Sequence, residues 1–389
     1  MHASRRKPWW ALGGVFLAVL ALLAIITYPE AKKRWITPLG PGLGLPTLTP
    51  TLSSAAEPFS ASSPLAGSTD NVSPASNELQ TLAAGANSTP ANLAETPQAL
   101  CGGPPSMNLL ALGIDSSLEY RYGLADVIRI VQVDFVTPRV NVFSLPRDLW
   151  VEIPGLEEKY GITHGKLNQA YFYGSPGMQY YKGPGGGAGL LALTLELNFG
   201  LRVDHYGVVH MQAFTRMVDA VGGIDVYLPN EVDGRPFEGN PEDMGYFPAG
   251  QQHLNGEQAL RFARIRKRYS DFIRMDNQNL VICALKEKIT SPAVLPKIPE
   301  TIAALQDSVL TDLTPQQLAQ MACLLPKLKP ENLRFTSLPQ EMLSSGQVYS
   351  QQLKDKTYIL NADFDDVRNQ VDQFTAGSWP AQPDEPSCP

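Results

Sequence analysis

Residues 260–275, LRFARIRKRYSDFIRM, place five arginines and a lysine in a chain of 389 residues whose formal net charge is −7. A basic run alone is a solvated face or a nucleic-acid footprint, but nucleic-acid binding wants a broad basic surface rather than one segment of an acidic chain. The anion that these side chains suit is a compact one. On an extended backbone Arg264, Arg266 and Arg268 share a face, whereas on a helix Arg261, Ile265 and Arg268 align. Either arrangement can bring several guanidinium groups onto one pyrophosphate, an anion that arginine grips bidentately.

Two further places carry groups suited to the same chemistry. The apolar stretch MNLLALGI runs into Asp115, and the next one opens at Ala125-Asp126, so two carboxylates stand at neighbouring strand ends, where ligands of α/β sheets bind. Such a pair can hold Mg²⁺ with phosphate oxygens completing the shell. The structural alternative is an Asx turn at Asp115 and a strand-start cap at Asp126. A third apolar stretch ends SLPRDLW, where Arg147 can bind phosphate while Asp148 orients it or joins the metal shell, or where the two form a surface ion pair. The glycine-rich GPGGGAG at 183–189 lacks the Lys-Ser/Thr of a P-loop, and neither G-x-S-x-G nor H-E-x-x-H occurs.

The elements that must position these groups read as a mixed α/β domain over 105–375, a central sheet with helices on both faces. MNLLALGI, ADVIRIVQVDF, RVNVFSLP, HYGVVHM, IDVYLP and LRFTSLP are short, apolar and rich in β-branched residues, as strands are. GKLNQAYFY, GLLALTLELNF, MQAFTRMVDAVGG, DFIRMDNQNLVICALKEKI, TPQQLAQMACLLPKL and DFDDVRNQVDQF alternate with them as helices. In LNGEQALRF, Asn255 and Gln258 have the spacing of a capping box, which predicts a short helix leading into the basic segment.

Ahead of the domain, residues 9–28, WWALGGVFLAVLALLAIITY, form an uncharged run long enough to cross a bilayer as a helix. The absence of an A-x-A-like site after it points to an uncleaved signal-anchor, with residues 1–8 as a cytoplasmic N-terminus. Arg5, Arg6 and Lys7 on one side are balanced by Lys32, Lys33 and Arg34 on the other, so charge alone does not orient it. Between Arg34 and Arg121 there is no Lys or Arg, and the Pro/Ser/Thr/Ala-rich stretch 29–104 reads as a flexible stalk, easily translocated. The expected location is therefore a single-pass cell-membrane protein with its C-terminal domain extracytoplasmic. Cysteines at 101, 283, 323 and 388 form no C-x-x-C pair. Cys101 and Cys388, in the flanks of the domain, are expected to bridge its ends; residues 376–389 read as a tail.

In order along the chain, LLALGIDSS, ADVI, VFSLPRDLWVEIP, GKLNQAY, MVDAVGGIDVYLP, GQQHLNGEQALRFARIRKR and DFIRMDNQ resemble the LytR-CpsA-Psr family of cell-envelope proteins over roughly 105–375. The resemblance implies a membrane-anchored phosphotransferase that moves a glycopolymer from a polyprenyl-pyrophosphate carrier onto peptidoglycan or another wall acceptor. It puts Asp115 and Asp126 at Mg²⁺-linked positions, with Mg²⁺ or another divalent cation as cofactor. Arg147 and Asp148 fall in the family's Pro-Arg-Asp motif, Arg264 and Arg266 in its Arg-x-Arg, and Asp271 with Arg274 in its Asp-x-x-Arg. Ser117, Leu124 and Asn277 stand where members often carry arginine, and Arg121 and Arg129 are the side chains available to replace the lost charge on the pyrophosphate. A slot for the isoprenoid tail is expected among residues 190–220. The competing classes are a non-catalytic regulator that binds lipid-linked wall precursors and a pyrophosphatase that only hydrolyses the carrier.

Overall fold

A computed structural model of the chain describes residues 32–45, 98–116, 120–266, 271–294, 309–350, 354–380 and 388. The expected membrane span at 9–28 and residues 46–97 lie outside the described residues. Among the described residues no helix is long and apolar enough to cross a membrane.

The strands are β1 (Ser106–Ile114), β2 (Ala125–Asp134), β3 (Arg139–Leu145), β4 (Trp150–Glu152), β5 (His164–Lys166), β6 (His205–His210), β7 (Ile224–Leu228), β8 (Val232–Asp233), β9 (Tyr246–Phe247), β10 (Gly250–Leu254), β11 (Val309–Thr311), β12 (Leu333–Ser337), β13 (Leu343–Ser350) and β14 (Asp355–Ala362). The helices are α1 (32–36), α2 (Glu157–Tyr160), α3 (Leu167–Gly174), α4 (Gly186–Phe199), α5 (Met211–Ala220), α6 (Gly256–Arg264), α7 (Asp271–Thr290), α8 (Pro315–Leu324) and α9 (Phe364–Thr375). The central sheet runs β11-β6-β1-β2-β3-β12. It is mixed: β1 pairs antiparallel with β2 and parallel with β6, and β12 joins β3 parallel.

Strand alternation divides the side chains of this sheet between two layers. Leu110, Leu112, Ile128, Ile130, Phe143 and Leu145 point to one face and are buried against α3, α4 and α9 through Leu167, Tyr171, Leu191, Leu195, Phe199, Val371 and Phe374. Each such fully buried side chain is worth about 1.5–3 kcal/mol relative to exposure. On the other face Met107 and Val133 pack with Leu324 of α8, and Val142 and Leu333 with Cys283 of α7. Helices do cover both faces. The capping box forms as the spacing predicts, with the Asn255 side chain accepting from the Gln258 N–H and the Gln258 side chain accepting from the Asn255 N–H.

Two expectations about the flanks need correction. Leu39–Leu45, inside the expected stalk, lies on the domain. The Leu39 N–H donates to the Leu313 carbonyl at 3.1 Å, the Tyr206 hydroxyl donates to the Pro41 carbonyl at 2.9 Å, and Leu43 is 5% exposed within the main core. A Pro/Gly-rich segment has no periodic signature, yet a single leucine can hold it once a complementary slot exists. Second, the disulfides are Cys101–Cys323 and Cys283–Cys388, not Cys101–Cys388. The two ends of the domain reach different helices, Cys101 meeting α8 and Cys388 meeting α7, each within disulfide range. The expected tail is likewise engaged at its start, since the Trp379 ring packs 5.2 Å from that of Phe143.

Candidate active site

A β-bulge sets up the site. In the β1–β2 ladder Gly113 faces Val127 and Ile114 faces Ala125, so Asp126 is the residue without a partner, and the bulge frees its carboxylate from the regular alternation. Asp115 closes the adjoining loop: its N–H donates to the Leu124 carbonyl at 3.2 Å, and its Oδ1 accepts from the Leu124 N–H at 2.5 Å. At the end of β3 the chain turns at Pro146, and the Arg147 carbonyl accepts from the Asn168 N–H, which anchors the turn to α3.

The Arg147 guanidinium then stands between two carboxylates. Nη1 donates to Asp126 Oδ1, and Nε lies 3.4 Å from Asp148 Oδ2. Lys166 of β5 completes the group from the other side, its Nζ donating to Asp148 Oδ1 at 2.8 Å. At the start of α7, Arg274 Nη2 reaches Asp271 Oδ2 at 3.0 Å, and the Arg274 side chain is only 7% exposed. Burial opposes the charge of Arg147, but the carboxylates of Asp126 and Asp148 outweigh it and hold the guanidinium above its ordinary range. Burial pushes the Asp115 carboxyl up, with the charge of Asp126 adding and the Leu124 N–H opposing. Asp271 is also raised by burial, and Arg274 lowered by it.

Beside this cluster a cavity of about 490 Å³, within the usual range for ligand pockets, lies between the second face of the sheet and the helices above it. Ala111, Gly113, Gly207 and Val209 line it from the sheet, Phe214, Leu260 and Val281 from α5, α6 and α7, and Leu318 and Met321 from α8. Arg129, Arg235, Arg264, Arg266 and Arg274 line it too, with Asp126, Asp233 and Glu242, so an apolar chamber carries five arginines and three carboxylates. α6 ends at Arg264 and Ile265 is extended and buried, which leaves Arg264 and Arg266 on either side of an apolar anchor.

Most of the residues singled out from the sequence therefore converge. Asp115, Asp126, Arg147, Asp148 and Asp271 with Arg274 form one electrostatic cluster, and Arg264 and Arg266 join it through the cavity. Arg264 Nη2 is also 3.4 Å from Glu242 Oε1, whereas Arg261 pairs with Glu257 on the exposed side of α6. Arg268 and Ser117 lie outside the described residues. The two candidate replacements differ. Arg129 lines the cavity, but it is also a cross-link: its guanidinium donates to Asn279 Oδ1 at 2.7 Å, Gln278 Oε1 at 3.2 Å and the Met275 carbonyl at 3.4 Å, tying β2 to α7. Burial, reinforced by Arg274, lowers its pKa to about 10. Arg121 has an exposed side chain and is not among the residues lining the cavity; its carbonyl accepts from the Gly177 N–H. Asn277 is buried and directs its amide to the Phe262 carbonyl at 3.5 Å, so at this position the side chain links α7 to α6. The apolar slot expected among residues 190–220 is only half correct, because α4 packs on the opposite face while β6 and α5 line the cavity. Lys166 is a site residue that the sequence does not single out; it sits inside GKLNQAY, but nothing in that string reveals Asp148 as its partner.

Among the described residues no group of three or more His, Cys, Asp or Glu side chains is placed to hold a metal ion. Asp115 and Asp126 interact, desolvation raising the Asp115 carboxyl most and the charge of Asp126 adding less, and a hard cation held by these two oxygen donors would draw its remaining ligands from a substrate.

A bulged mixed sheet, a Pro-Arg-Asp turn and an arginine-lined apolar cavity come together in one α/β domain. The chain belongs to the LytR_cpsA_psr family, whose model matches residues 74–363. It is 30% identical over 217 residues to the polyisoprenyl-teichoic acid--peptidoglycan teichoic acid transferase TagU of Bacillus cereus, a match covering 55% of this chain and 63% of the relative. The chain thus spans less than two thirds of that relative's length. It is 29% identical over 256 residues to the protein of the same name from Enterococcus faecalis, covering 63% of this chain and 76% of that one. The crystal structure of B. subtilis TagV superposes with a TM-score of 0.52 at 25% identity, covering 71% of this chain and 98% of that one.

Proposed function

We propose that this protein is a membrane-anchored, extracytoplasmic phosphotransferase that moves a glycopolymer from a polyprenyl-pyrophosphate carrier to peptidoglycan or another wall acceptor. The observation that carries this reading is the cavity: apolar walls for an isoprenoid chain, with Arg129, Arg264, Arg266 and Arg274 around it for a diphosphate. The names of the relatives, polyisoprenyl-teichoic acid--peptidoglycan teichoic acid transferases, describe the same kind of donor and acceptor. Two disulfides among the described residues suit an oxidising, extracytoplasmic compartment. The uncharged run at 9–28 supplies the anchor in the cell membrane.

In this reading the carrier tail lies in the cavity and its pyrophosphate meets the arginines. An acceptor hydroxyl attacks the sugar-proximal phosphorus, a new phosphorus–oxygen bond forms, the bond to the bridging oxygen breaks, and polyprenyl phosphate leaves. Such a transfer depends on positioning and charge stabilisation more than on covalent help. Arg147, held in place by Asp126, Asp148 and, through Asp148, Lys166, is preorganised to stabilise charge on the phosphoryl oxygens. Arg264 and Arg266 grip the diphosphate, and Asp271 aims Arg274 at it. Asp115 and Asp126 would hold Mg²⁺ or another divalent cation, which when bound neutralises phosphate charge.

The test is to incubate the soluble domain with a labelled lipid-pyrophosphate oligosaccharide, Mg²⁺ and wall fragments. Label moving onto the fragments is the expected result. Release only into water would make the protein a pyrophosphatase, and binding without turnover would make it a regulator.

A further inference from the structure

The β13–β14 hairpin takes no part in the cavity, yet it touches the catalytic cluster. Its register pairs Ser345 with Leu360, Gln347 with Tyr358 and Tyr349 with Lys356, so all six side chains share one face. At its base the edge of β14 is joined to the domain: Leu360 forms a parallel backbone bridge with Leu149, and the Leu360 N–H donates to the Asp148 carbonyl at 2.9 Å. Further out the face carries Tyr358, 49% exposed, and Tyr349, 62% exposed. The two tyrosines are diagonal neighbours, about 7–8 Å apart. Tyr358 is near enough to the site that, after burial, Asp148 and Asp271 add to raising its pKa.

Single exposed aromatic residues are ordinary on a protein surface. Two on one face, interleaved with Gln347 and Lys356 and ending beside Asp148, form a flat amphipathic ledge of stiff rings with hydrogen-bonding groups between them. That chemistry suits sugar rings, which offer an apolar face and a polar rim. The direction of the reaction selects which sugars. Attacking and leaving oxygens must be roughly in line across the phosphorus. Arg147, Asp148 and Lys166 do not line the cavity, so they mark the side of the cluster away from the carrier, the side from which an acceptor must approach.

We infer that the face bearing Gln347, Tyr349, Lys356 and Tyr358 is an acceptor subsite that binds a strand of pyranose sugars of the cell wall by stacking on the two tyrosines. Its role as the acceptor rests on the transferase reading; its affinity for wall glycan does not.

The experiment therefore omits the donor. The soluble domain is co-sedimented with purified insoluble peptidoglycan, alone and in competition with soluble glycan fragments or with free teichoic-acid-type polymer. The parent is expected to sediment and to be displaced by the glycan fragments. Tyr349→Ala with Tyr358→Ala should weaken retention roughly tenfold or more, as loss of aromatic anchors does, while Tyr349→Phe with Tyr358→Phe keeps it. An unchanged thermal transition separates lost binding from lost fold. A parent that does not sediment, a double alanine variant that sediments like the parent, or displacement only by the donor-type polymer each overturns the proposal. Retention through the tyrosines in a protein that transfers nothing would instead defeat the transferase reading and leave this one standing.

Discussion

The two faces of the central sheet are made by the same strands and serve opposite ends. On one, Leu110, Leu112, Ile128 and Ile130 are filled in by three helices. On the other, the intervening β1 positions are small, with Ala111 opposite Gly207 of β6 and Gly113 two residues on, and a cavity of about 490 Å³ stands over them. Period-two alternation allows one strand to close a core and floor a binding site at once, provided that side-chain volume differs between odd and even positions. A void of that size survives only if rigid walls hold it open. Here the roof helix α7 is tied to the sheet by Arg129, to α6 by Asn277 and to Cys388 by a disulfide.

This contrast makes unequal demands on neighbouring positions. Leu110→Ala, on the filled face, should cost about 2–5 kcal/mol in urea unfolding, the usual range for a buried leucine. A loss under about 1 kcal/mol would mean that this face is no better packed than the other. Next in size, Arg147→Lys keeps a cation between Asp126 and Asp148 but loses the planar fork, and the transfer rate should fall about 10²-fold or more. A variant that transfers at the parental rate would remove Arg147 from the reaction.

On the open face the expected outcome reverses. A Cβ built on Gly207 meets nothing within 4 Å. Gly207→Leu should thus grow into the cavity with a stability change under about 1 kcal/mol, and carrier-lipid binding should drop at least about tenfold, read by titration with a fluorescent polyprenyl phosphate. If Leu110→Ala and Gly207→Leu destabilise alike, the cavity is not open space and the comparison fails.

The smallest effect is a pH signature at the rim. The folded-state pKa of Asp115 is raised, so its contribution to stability is full in acid, below the unfolded carboxylate range, and is lost as pH rises through the raised value. Asp115→Asn has no charge to desolvate and keeps an oxygen for the Leu124 N–H. In metal-free buffer it should melt at or slightly above the parent at neutral pH, and the difference should vanish as pH falls below the carboxylate range. A variant that melts below the parent at neutral pH would contradict a carboxylate raised by partial desolvation and by the charge of Asp126.

The local elements are legible because their signals are local. The Asn255–Gln258 box starts α6 with groups three residues apart, and the six short, β-branched apolar stretches form strands because alternation and β-branching act along one chain. The β13–β14 hairpin is not legible in the same way: LSSGQVYS and DKTYILNA have too few consecutive apolar residues, and their pairing is stabilised by seating on Leu149 rather than by their own composition. For the site, Asp115, Asp126, Arg147, Asp148 and the Arg-x-Arg pair can be named from residue type, strand-end position and family resemblance. Lys166 cannot, because the partner that gives it meaning is eighteen residues away.

Residue types and spacings are enough to specify an α/β domain, a basic segment fit for a compact anion and the acidic and basic groups around it, since propensity, capping and alternation need no knowledge of distant contacts. Other features arise only when the chain closes on itself. Cys101 and Cys388 have equally good reasons to pair with each other, and their bonds to Cys323 and Cys283 depend on which helix each end of the domain reaches. Arg129, one charge in an apolar strand, is a cross-link because α7 crosses above it with Asn279 and Gln278. The cavity follows from small residues on neighbouring strands falling into register, a coincidence of long-range pairing that no single segment contains.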